Sequence, residues 1–231
     1  MSVSGVTTYQ LTANQIVNAA MRKIGIMAKG QVADAEELTY GIQALNTLIP
    51  ILRTRGMPLW KLTKATLSLV ANTTTYTISQ PNKAFKINQA WITPNNSGTN
   101  IPVELESIFN YNLLPTTSSG VPIKLAYIPS NTTGTLSVWP APSAAVVSTY
   151  TFYYMYQDEF DIIVSDTDTV DFPAEWHLPL IYGLAYLISG ESNVPIQDRQ
   201  ELQSNFDKFT LMAEDNAGEN ASIMFQPYRS Y

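Results

Sequence analysis

The chain has 231 residues, 45% of them hydrophobic, which is enough to build a core in one large domain or two modest ones. It contains no cysteine, so disulfide bonds, thiolate zinc sites and thiol nucleophiles are excluded. A formal net charge of −6, without any Lys/Arg cluster, argues against a protein that grips nucleic-acid phosphates through a basic stripe.

Nothing in the sequence predicts contact with a membrane. No segment approaches the roughly 18 unbroken apolar residues of a membrane-spanning helix. The start of the chain, MSVSGVTTYQ, also lacks the basic residues and apolar run of a secretory signal. We therefore expect a protein that is made and kept in cytosol-like solution.

The first predicted helix spans residues 13–24. Thr12 and Gln15 have the spacing of a capping box, in which each side chain accepts a hydrogen bond from the backbone of the other residue. Gly25 follows the helix and suits the left-handed backbone conformation that commonly ends one.

A second and stronger helical pattern follows Asp34. Asp34 and Glu37 again have the spacing of a capping box, and Gly56 ends the pattern. One face carries apolar residues at helical spacing, namely Leu38, Ile42, Leu45, Ile49 and Leu52. Pro50 removes a backbone hydrogen bond and clashes with the preceding turn, so we expect a kink near Thr47.

The period changes to two between Lys61 and about Asp158, which predicts β-strands. Three sets of apolar residues recur at alternate positions and are predicted to share a strand face: Ala65, Leu67 and Leu69; Phe85, Ile87 and Trp91; Ile123, Leu125 and Tyr127. The connections are rich in Asn, Gly, Pro and Ser at intervals that suit short antiparallel strands. We expect about six or seven strands in a sandwich or a partly open barrel.

Residues 135–159, TLSVWPAPSAAVVSTYTFYYMYQDE, have the pattern of a wide β-hairpin. Its return strand places four aromatic side chains on one face, Tyr150, Phe152, Tyr154 and Tyr156. Pro140 and Pro142 cannot donate to a sheet ladder, so we expect both outside the pairing. The aromatic row is interpreted first as core, and second as a platform on which sugars or bases stack.

Helical patterns resume after the β-strands. The stretch FPAEWHLPLIYGLAYLISG is apolar nearly all round and predicts a helix buried on most sides, which begins near Pro173 or Pro179. A last amphipathic helix is expected from about Pro195 to Ala213. Its apolar face carries Leu202, Phe206, Phe209 and Ala213. The final residues, 216–231, have no period but are rich in aromatic side chains.

These patterns predict an α+β fold. The N- and C-terminal helices form a helical bundle, and an antiparallel β-sandwich or partly open barrel is inserted between them. The expected domains are residues 1–60 with 172–215 for the bundle, 61–171 for the inserted β domain, and 216–231 for an extended C-terminal tail.

No motif supports catalysis, a cofactor or a metal ion. His177 is the only histidine, and no nucleophile motif accompanies it, so we expect a structural or surface residue. The run DTDTVD at 166–171 resembles the start of a calcium loop. However, Asp171 stands where the loop needs Gly, and His177 stands where it needs a bidentate Glu.

Two further kinds of site are unsupported. A glycosidase needs a pair of carboxylates, and several acidic residues offer such pairs without any accompanying motif: Glu104, Glu106, Asp158, Glu159 and Asp161. The stretch GIMAKG lacks the spacing of a phosphate-binding loop.

The order of several motifs resembles a known family. They are AAMRKIG in the first helix; Glu37, Gly41, Ile42, Leu45, Asn46, Leu48 and Ile49 in the second; then RGMPLW, GTLSVWPAP and LIYGLAYLIS. From about residue 12 to 213 the chain resembles the head-to-tail adaptors of short-tailed bacteriophages, the group of tail tubular protein A and the tail accessory factors.

This resemblance implies a structural virion protein of the head-tail junction, assembled in the host cytoplasm. Because no motif here supports catalysis, we expect no enzymatic activity. Such a protein forms a ring, typically dodecameric, below the portal protein, where it seals the DNA exit channel. The ring joins the next tail component, a nozzle or tail tube, and DNA passes through without specific binding. We expect Phe225, Tyr228 and Tyr231 to dock on the portal or on a neighbouring subunit.

Two other functions stay open at this point. A receptor- or carbohydrate-binding β-module of a virion would need an exposed aromatic row. A virion-associated cell-wall hydrolase would need an essential carboxylate, and no motif here points to one.

Overall fold

A computed structural model describes residues 9–55, 59–79 and 84–217. The chain divides into two compact units: a helical unit made of the residues up to Leu59 and from Phe160 onward, and a β unit from Trp60 to Glu159. The predicted α+β class is confirmed, because helices from both ends of the chain form one unit and an open, curled sheet forms the other.

The elements are as follows. The helices are α1 Ala13–Lys23, α2 Ala35–Arg55, α3 Ile108–Tyr111, α4 Ala144–Thr149, α5 His177–Ser189 and α6 Ile196–Ala217. The strands are β1 Leu62–Leu67, β2 Thr75–Ser79, β3 Ala84–Pro94, β4 Ile101–Leu105, β5 Ser119–Gly120, β6 Lys124–Pro129, β7 Thr133–Trp139, β8 Ala141–Pro142 and β9 Tyr150–Asp158. None of the described helices combines the length and the hydropathy needed to cross a bilayer.

Both predicted capping boxes are present in the helical unit. At α1 the backbone N–H of Gln15 donates to Thr12 Oγ1 over 3.3 Å, and the backbone N–H of Thr12 donates to Gln15 Oε1 over 3.0 Å. At α2 the backbone N–H of Glu37 donates to the Asp34 carboxylate over 2.8 Å, and the backbone N–H of Asp34 donates to the Glu37 carboxylate over 3.0 Å. Gly25 adopts the expected left-handed conformation, with φ at 76°. Helix α2 runs continuously through Pro50, and the kink near Thr47 stays a prediction.

Glycines allow close packing in the helical unit. Gly41 of α2 faces Val17 of α1 so closely that a Cβ at position 41 would overlap the valine methyl groups. Gly183 of α5 faces Phe206 of α6 and Leu48 of α2, and a Cβ there would lie 2.7 and 3.0 Å from them. The fully buried side chains around these contacts include Ile16, Leu45, Leu48, Leu180, Leu184 and Ile188.

The segment before α5 is attached to the N-terminal helices by hydrogen bonds. The Asn46 side chain donates to the Ile163 carbonyl over 2.8 Å and accepts from the Ile163 N–H over 2.9 Å. The backbone N–H of Ala13 donates to the Asp168 carbonyl over 2.8 Å. These bonds join the loop that precedes α5 to α1 and α2, within the helical unit.

The main sheet has seven strands in the order β1-β9-β3-β4-β6-β7-β2. Strands β1 and β9, which begin and end the β unit, pair with each other from Leu62 opposite Gln157 to Leu67 opposite Phe152. The pairing is antiparallel except between β4 and β6, which run parallel at Glu104 and Leu105. We predicted antiparallel strands throughout, and this pair is the exception. Residues 106–123 connect β4 with β6 and are long enough for the crossover that parallel strands require.

The predicted hairpin over residues 135–159 is wrong. Strand β7 lies between β6 and β2, whereas β9 lies between β1 and β3, so the two strands are not neighbours. Helix α4, capped by Ser143, lies between them in the chain. Strand β9 then joins the sheet near the opposite end from β7. Pro140 lies outside the strands as expected, but Pro142 belongs to the short strand β8.

A second correction concerns β3. Register shifts between Ala84 and Lys86 and between Ile87 and Gln89 are β-bulges, each of which reverses the alternation of faces. As a result Ile87, Ala90 and Ile92 are buried. Trp91, predicted to share a face with Ile87, instead points away from the core.

Candidate functional site

The aromatic row of β9 is core, which confirms the first interpretation of this strand. Phe152, Tyr154 and Tyr156 are 0%, 2% and 1% exposed and pack with residues from six other strands of the curled sheet. Burial raises the pKa of Tyr154 to about 12, so its phenol stays neutral at physiological pH. This face of the strand is not accessible to a ligand.

The opposite face of the same strands carries a different aromatic cluster. Trp91 and Tyr153 are direct cross-strand neighbours, and their rings stack with centroids 5.7 Å apart and an interplanar angle of 19°. The Lys64 ammonium lies 4.1 Å from the Tyr153 ring centre and 5.3 Å from that of Trp91. Such cation–π contacts contribute about 0.5–1 kcal/mol each at exposed sites.

A groove of about 340 Å³ adjoins this cluster and is lined by Gln89, Trp91, Asn100 and Pro102. An indole face beside two amide side chains is the chemistry that binds a sugar ring, by stacking and by hydrogen bonds. The sequence does not reveal the groove, because the β3 bulges that turn Trp91 outward have no recognisable signal in it.

His177 lies at the first residue of α5 and is only 5% exposed. Neither ring nitrogen has a hydrogen-bond partner among the described residues, so no Ser or Asp of that part of the chain orients the ring as in a catalytic triad. Tyr9 meets the imidazole edge to face at 5.7 Å. The arrangement is that of a packed, neutral histidine.

Burial lowers the pKa of His177 below its ordinary 6.5, and the Glu175 carboxylate opposes the shift only in part. As pH falls below about 6.5, the unfolded chain therefore binds this proton before the folded protein does. We expect the free energy of unfolding, measured with urea, to decrease between pH 7.5 and 5.5. Since there is no other histidine, His177→Gln should largely remove that slope. An unchanged slope would contradict the assignment.

The acidic run 166–171 makes hydrogen bonds within its own loop and to α1. Asp168 accepts from the Val164 and Ser165 N–H groups over 3.0 and 2.8 Å, and these bonds lower the pKa of its carboxyl group. Asp166 accepts from the Asn14 side chain over 3.3 Å. Over the ranges that the structure describes, no group of three His, Asp or Glu side chains is placed to hold a metal ion.

Two of the candidate glycosidase carboxylates are bound to the same cation. Lys124 Nζ lies 3.5 Å from Glu104 and donates a closer hydrogen bond to Glu106. The bond from Lys124, followed by one from Asn110, lowers the pKa of Glu106. A general acid of a glycosidase needs a raised pKa, so Glu106 has the wrong electrostatics for that role.

The three predicted partner-binding residues, Phe225, Tyr228 and Tyr231, lie outside the described residues.

Comparison with known sequences adds an independent observation. The family model of the SU10 adaptor protein matches residues 11–223, which is most of the chain. A search of curated proteins found no significant match.

Proposed function

This chain belongs to the SU10 adaptor protein family, a family of bacteriophage adaptors, and we propose that it connects the head of a virion to its tail. In this proposal it acts as adaptors of the tail tubular protein A group do: it forms a ring, typically of twelve copies, below the portal. The ring seals the DNA exit channel and joins the next tail component. The family match over residues 11–223 is the observation that carries the proposal.

The described residues support a structural role in three ways. The aromatic strand β9 is used as core, which removes the inner face of the sheet as a ligand platform. The acidic loop and the Glu104–Lys124–Glu106 cluster are satisfied by hydrogen bonds and ion pairs. The net charge of −6 suits a channel wall along which DNA slides without being gripped.

The predicted division of the chain into domains is part of the proposal. In this proposal the helices within residues 1–60 and 172–215 form the body, the strands within residues 61–171 form an inserted β domain, and residues 216–231 form an extended tail. We propose that this tail attaches the ring through Phe225, Tyr228 and Tyr231, since aromatic side chains supply much of the affinity at protein interfaces.

Deleting residues 217–231 is expected to abolish attachment to isolated portal while leaving the thermal unfolding of the protein unchanged. Replacing only Phe225, Tyr228 and Tyr231 with serine should reproduce the loss if the aromatic side chains make the contact. Binding is measured by co-sedimentation with the portal. Co-sedimentation of the truncated protein with the portal would contradict the claim that the tail attaches the ring.

The ring itself is tested by negative-stain microscopy and by the mass in solution of the full chain, each with and without isolated portal. A ring, either free or formed only on the portal, is the expected result. A monomer that ignores the portal would contradict the adaptor function.

One specific observation favours a second candidate function, that of a carbohydrate-binding β-module. The groove beside Trp91 is lined by its indole ring and by the amide side chains of Gln89 and Asn100. Quenching of tryptophan fluorescence by soluble oligosaccharides, lost in Trp91→Ala, would support it. The third candidate, a cell-wall hydrolase, has no comparable support.

A further inference from the structure

We propose that each copy of this chain inserts the side chains of Phe109 and Leu113 into a cleft in the β unit of the next copy. The inference rests on the proposed ring and assigns one of its subunit contacts. The projecting part is residues 107–123, which we call the α3 arm, and the receiving part is a gap in the main sheet between β3 and β6.

The α3 arm lacks charge altogether. Residues 107–123, SIFNYNLLPTTSSGVPI, contain no Asp, Glu, Lys, Arg or His, and the arm is bounded by Glu106 and Lys124, which pair with each other. The cores of protein interfaces are depleted of charged residues and enriched in aromatic ones. In an acidic protein, such an arm is suited to contact another protein.

Polar groups of the β unit hold the α3 arm in place. Ser107 caps α3 by accepting from the Asn110 N–H over 3.2 Å, and the Tyr111 hydroxyl donates to the Val138 carbonyl over 3.0 Å. The Trp139 indole N–H donates to the Pro115 carbonyl over 2.7 Å. The arm is therefore ordered before binding, and less conformational entropy is lost when a partner covers it.

The arm presents large apolar side chains to solvent. Phe109 is 81% exposed and Leu113 is 83% exposed, the highest values among the large apolar side chains of the described residues. Side chains of this size that are both fixed and exposed indicate a docking site, since burying each would stabilise a complex.

The cleft exists because β4 is short. Strand β4 pairs with β3 only from Ala90 to Ile92 and with β6 only at Lys124 and Leu125, so the gap between β3 and β6 stays open beyond its end. The Tyr127 hydroxyl spans that gap and donates to the Ala84 carbonyl over 2.6 Å. The resulting cleft has a volume of about 300 Å³. Its lining is mostly apolar, with Phe85, Leu105, Tyr127 and Pro129, and also includes the charged side chains of Lys86 and Glu106.

A second copy is the occupant that fits both features. A ring is built from heterologous contacts, in which one surface of each subunit meets a different surface of the next. The β unit carries an apolar projection and an apolar cleft with room for an aromatic ring, and every copy carries both. The portal and the next tail component are the other possible occupants, and the experiments below distinguish them.

The first test replaces both side chains, F109S/L113S, in the full chain. Its control, L211S/M212S, removes two apolar side chains of α6 that are 60% and 54% exposed. We expect the concentration for half-maximal ring assembly, free or on isolated portal, to rise at least about tenfold in the first variant and less than about twofold in the control. Circular dichroism and thermal unfolding check that both variants fold.

The second test uses the absence of cysteine, because an introduced thiol is then the only one in the chain. Protein carrying Phe109→Cys is mixed with protein carrying Lys86→Cys, a residue lining the cleft, and the assembled mixture is oxidised. A disulfide-linked pair of the two proteins is expected, since bonding requires the two Cβ atoms to come within about 4.5 Å. Leu211→Cys mixed with Lys86→Cys should give no such pair.

The outcomes separate the inference from the proposed function. If the unmodified chain forms no ring, both are overturned. If it forms a ring that F109S/L113S forms equally well, or that yields no Phe109–Lys86 cross-link, only the inference falls. Cross-linking of Phe109→Cys protein to itself would show a symmetric contact and would also overturn it. Normal rings of F109S/L113S that fail to bind portal would assign the arm to the portal instead.

Discussion

Phe152→Ala is expected to lower the free energy of unfolding of the β unit by about 3–5 kcal/mol. The Phe152 side chain is 0% exposed, and the residue lies in β9 opposite Leu67 of β1 and Ile92 of β3. Its removal leaves a cavity that fixed neighbours on both flanking strands cannot close. The variant therefore loses the free energy of burying the ring and is destabilised further by the cavity. Urea unfolding followed by tryptophan fluorescence measures the change.

Tyr153→Ala is the matched control, because its side chain lies next along the same strand on the opposite face. It loses the stacking with Trp91 and the contact with Lys64, which together are worth about 1–2 kcal/mol at a partly exposed site. The difference between the two variants measures how much of the aromatic strand is core. Equal losses would show that the sheet does not distinguish its two faces in this way.

Gly183→Ala should destabilise the helical unit by about 1–3 kcal/mol, although alanine is the better helix former by about 1 kcal/mol. The added Cβ would lie 2.7 Å from the Phe206 ring and 3.0 Å from Leu48. These two residues belong to different helices, so relieving the overlap requires α5 to move away from both. Thermal unfolding by circular dichroism at 222 nm reports the change.

Gly190→Ala, at the end of the same helix, is the control for Gly183→Ala. Gly190 has an ordinary helical backbone with φ at −61°, and a Cβ there meets nothing closer than 3.4 Å. This variant should be neutral or slightly stabilising, because alanine restricts the unfolded chain. Destabilisation of both variants by the same amount would attribute the effect to loss of glycine and not to packing.

The helical unit could be predicted from the sequence because its signals are local. Thr12 with Gln15, and Asp34 with Glu37, satisfy backbone donors within one turn, so the spacing alone identifies the helix starts. The glycines that matter for packing have no such signal. Gly41 and Gly183 are needed only because another helix approaches there, which depends on the tertiary arrangement.

The β unit was less predictable because its decisive features depend on pairing between distant strands. The bulges of β3 exist only in relation to β9, and one of them is enough to place Trp91 on the face opposite to Ile87. The parallel pairing of β4 with β6 and the separation of β7 from β9 depend on which strands become neighbours. Alternation along a strand predicts its two faces but not its partners.

The same reasoning applies to the candidate surfaces. The α3 arm is visible in the sequence as a charge-free run, but the exposure of Phe109 is not, because the arm is held by hydrogen bonds of Tyr111 and Trp139 that join residues distant in the chain. The attachment of Ile163 to Asn46 likewise joins residues far apart in the chain. Such contacts have no local sequence signature.

The pairing of β1 with β9 places the two ends of the β unit side by side. Leu62 and Gln157 face each other across one ladder, so the chain enters and leaves the unit at points about 5 Å apart. The helical body therefore needs only two adjacent attachment points, whatever is built between them. Insertions or deletions between β1 and β9 leave those points where they are, so the β unit can change in length without a change in the helical unit.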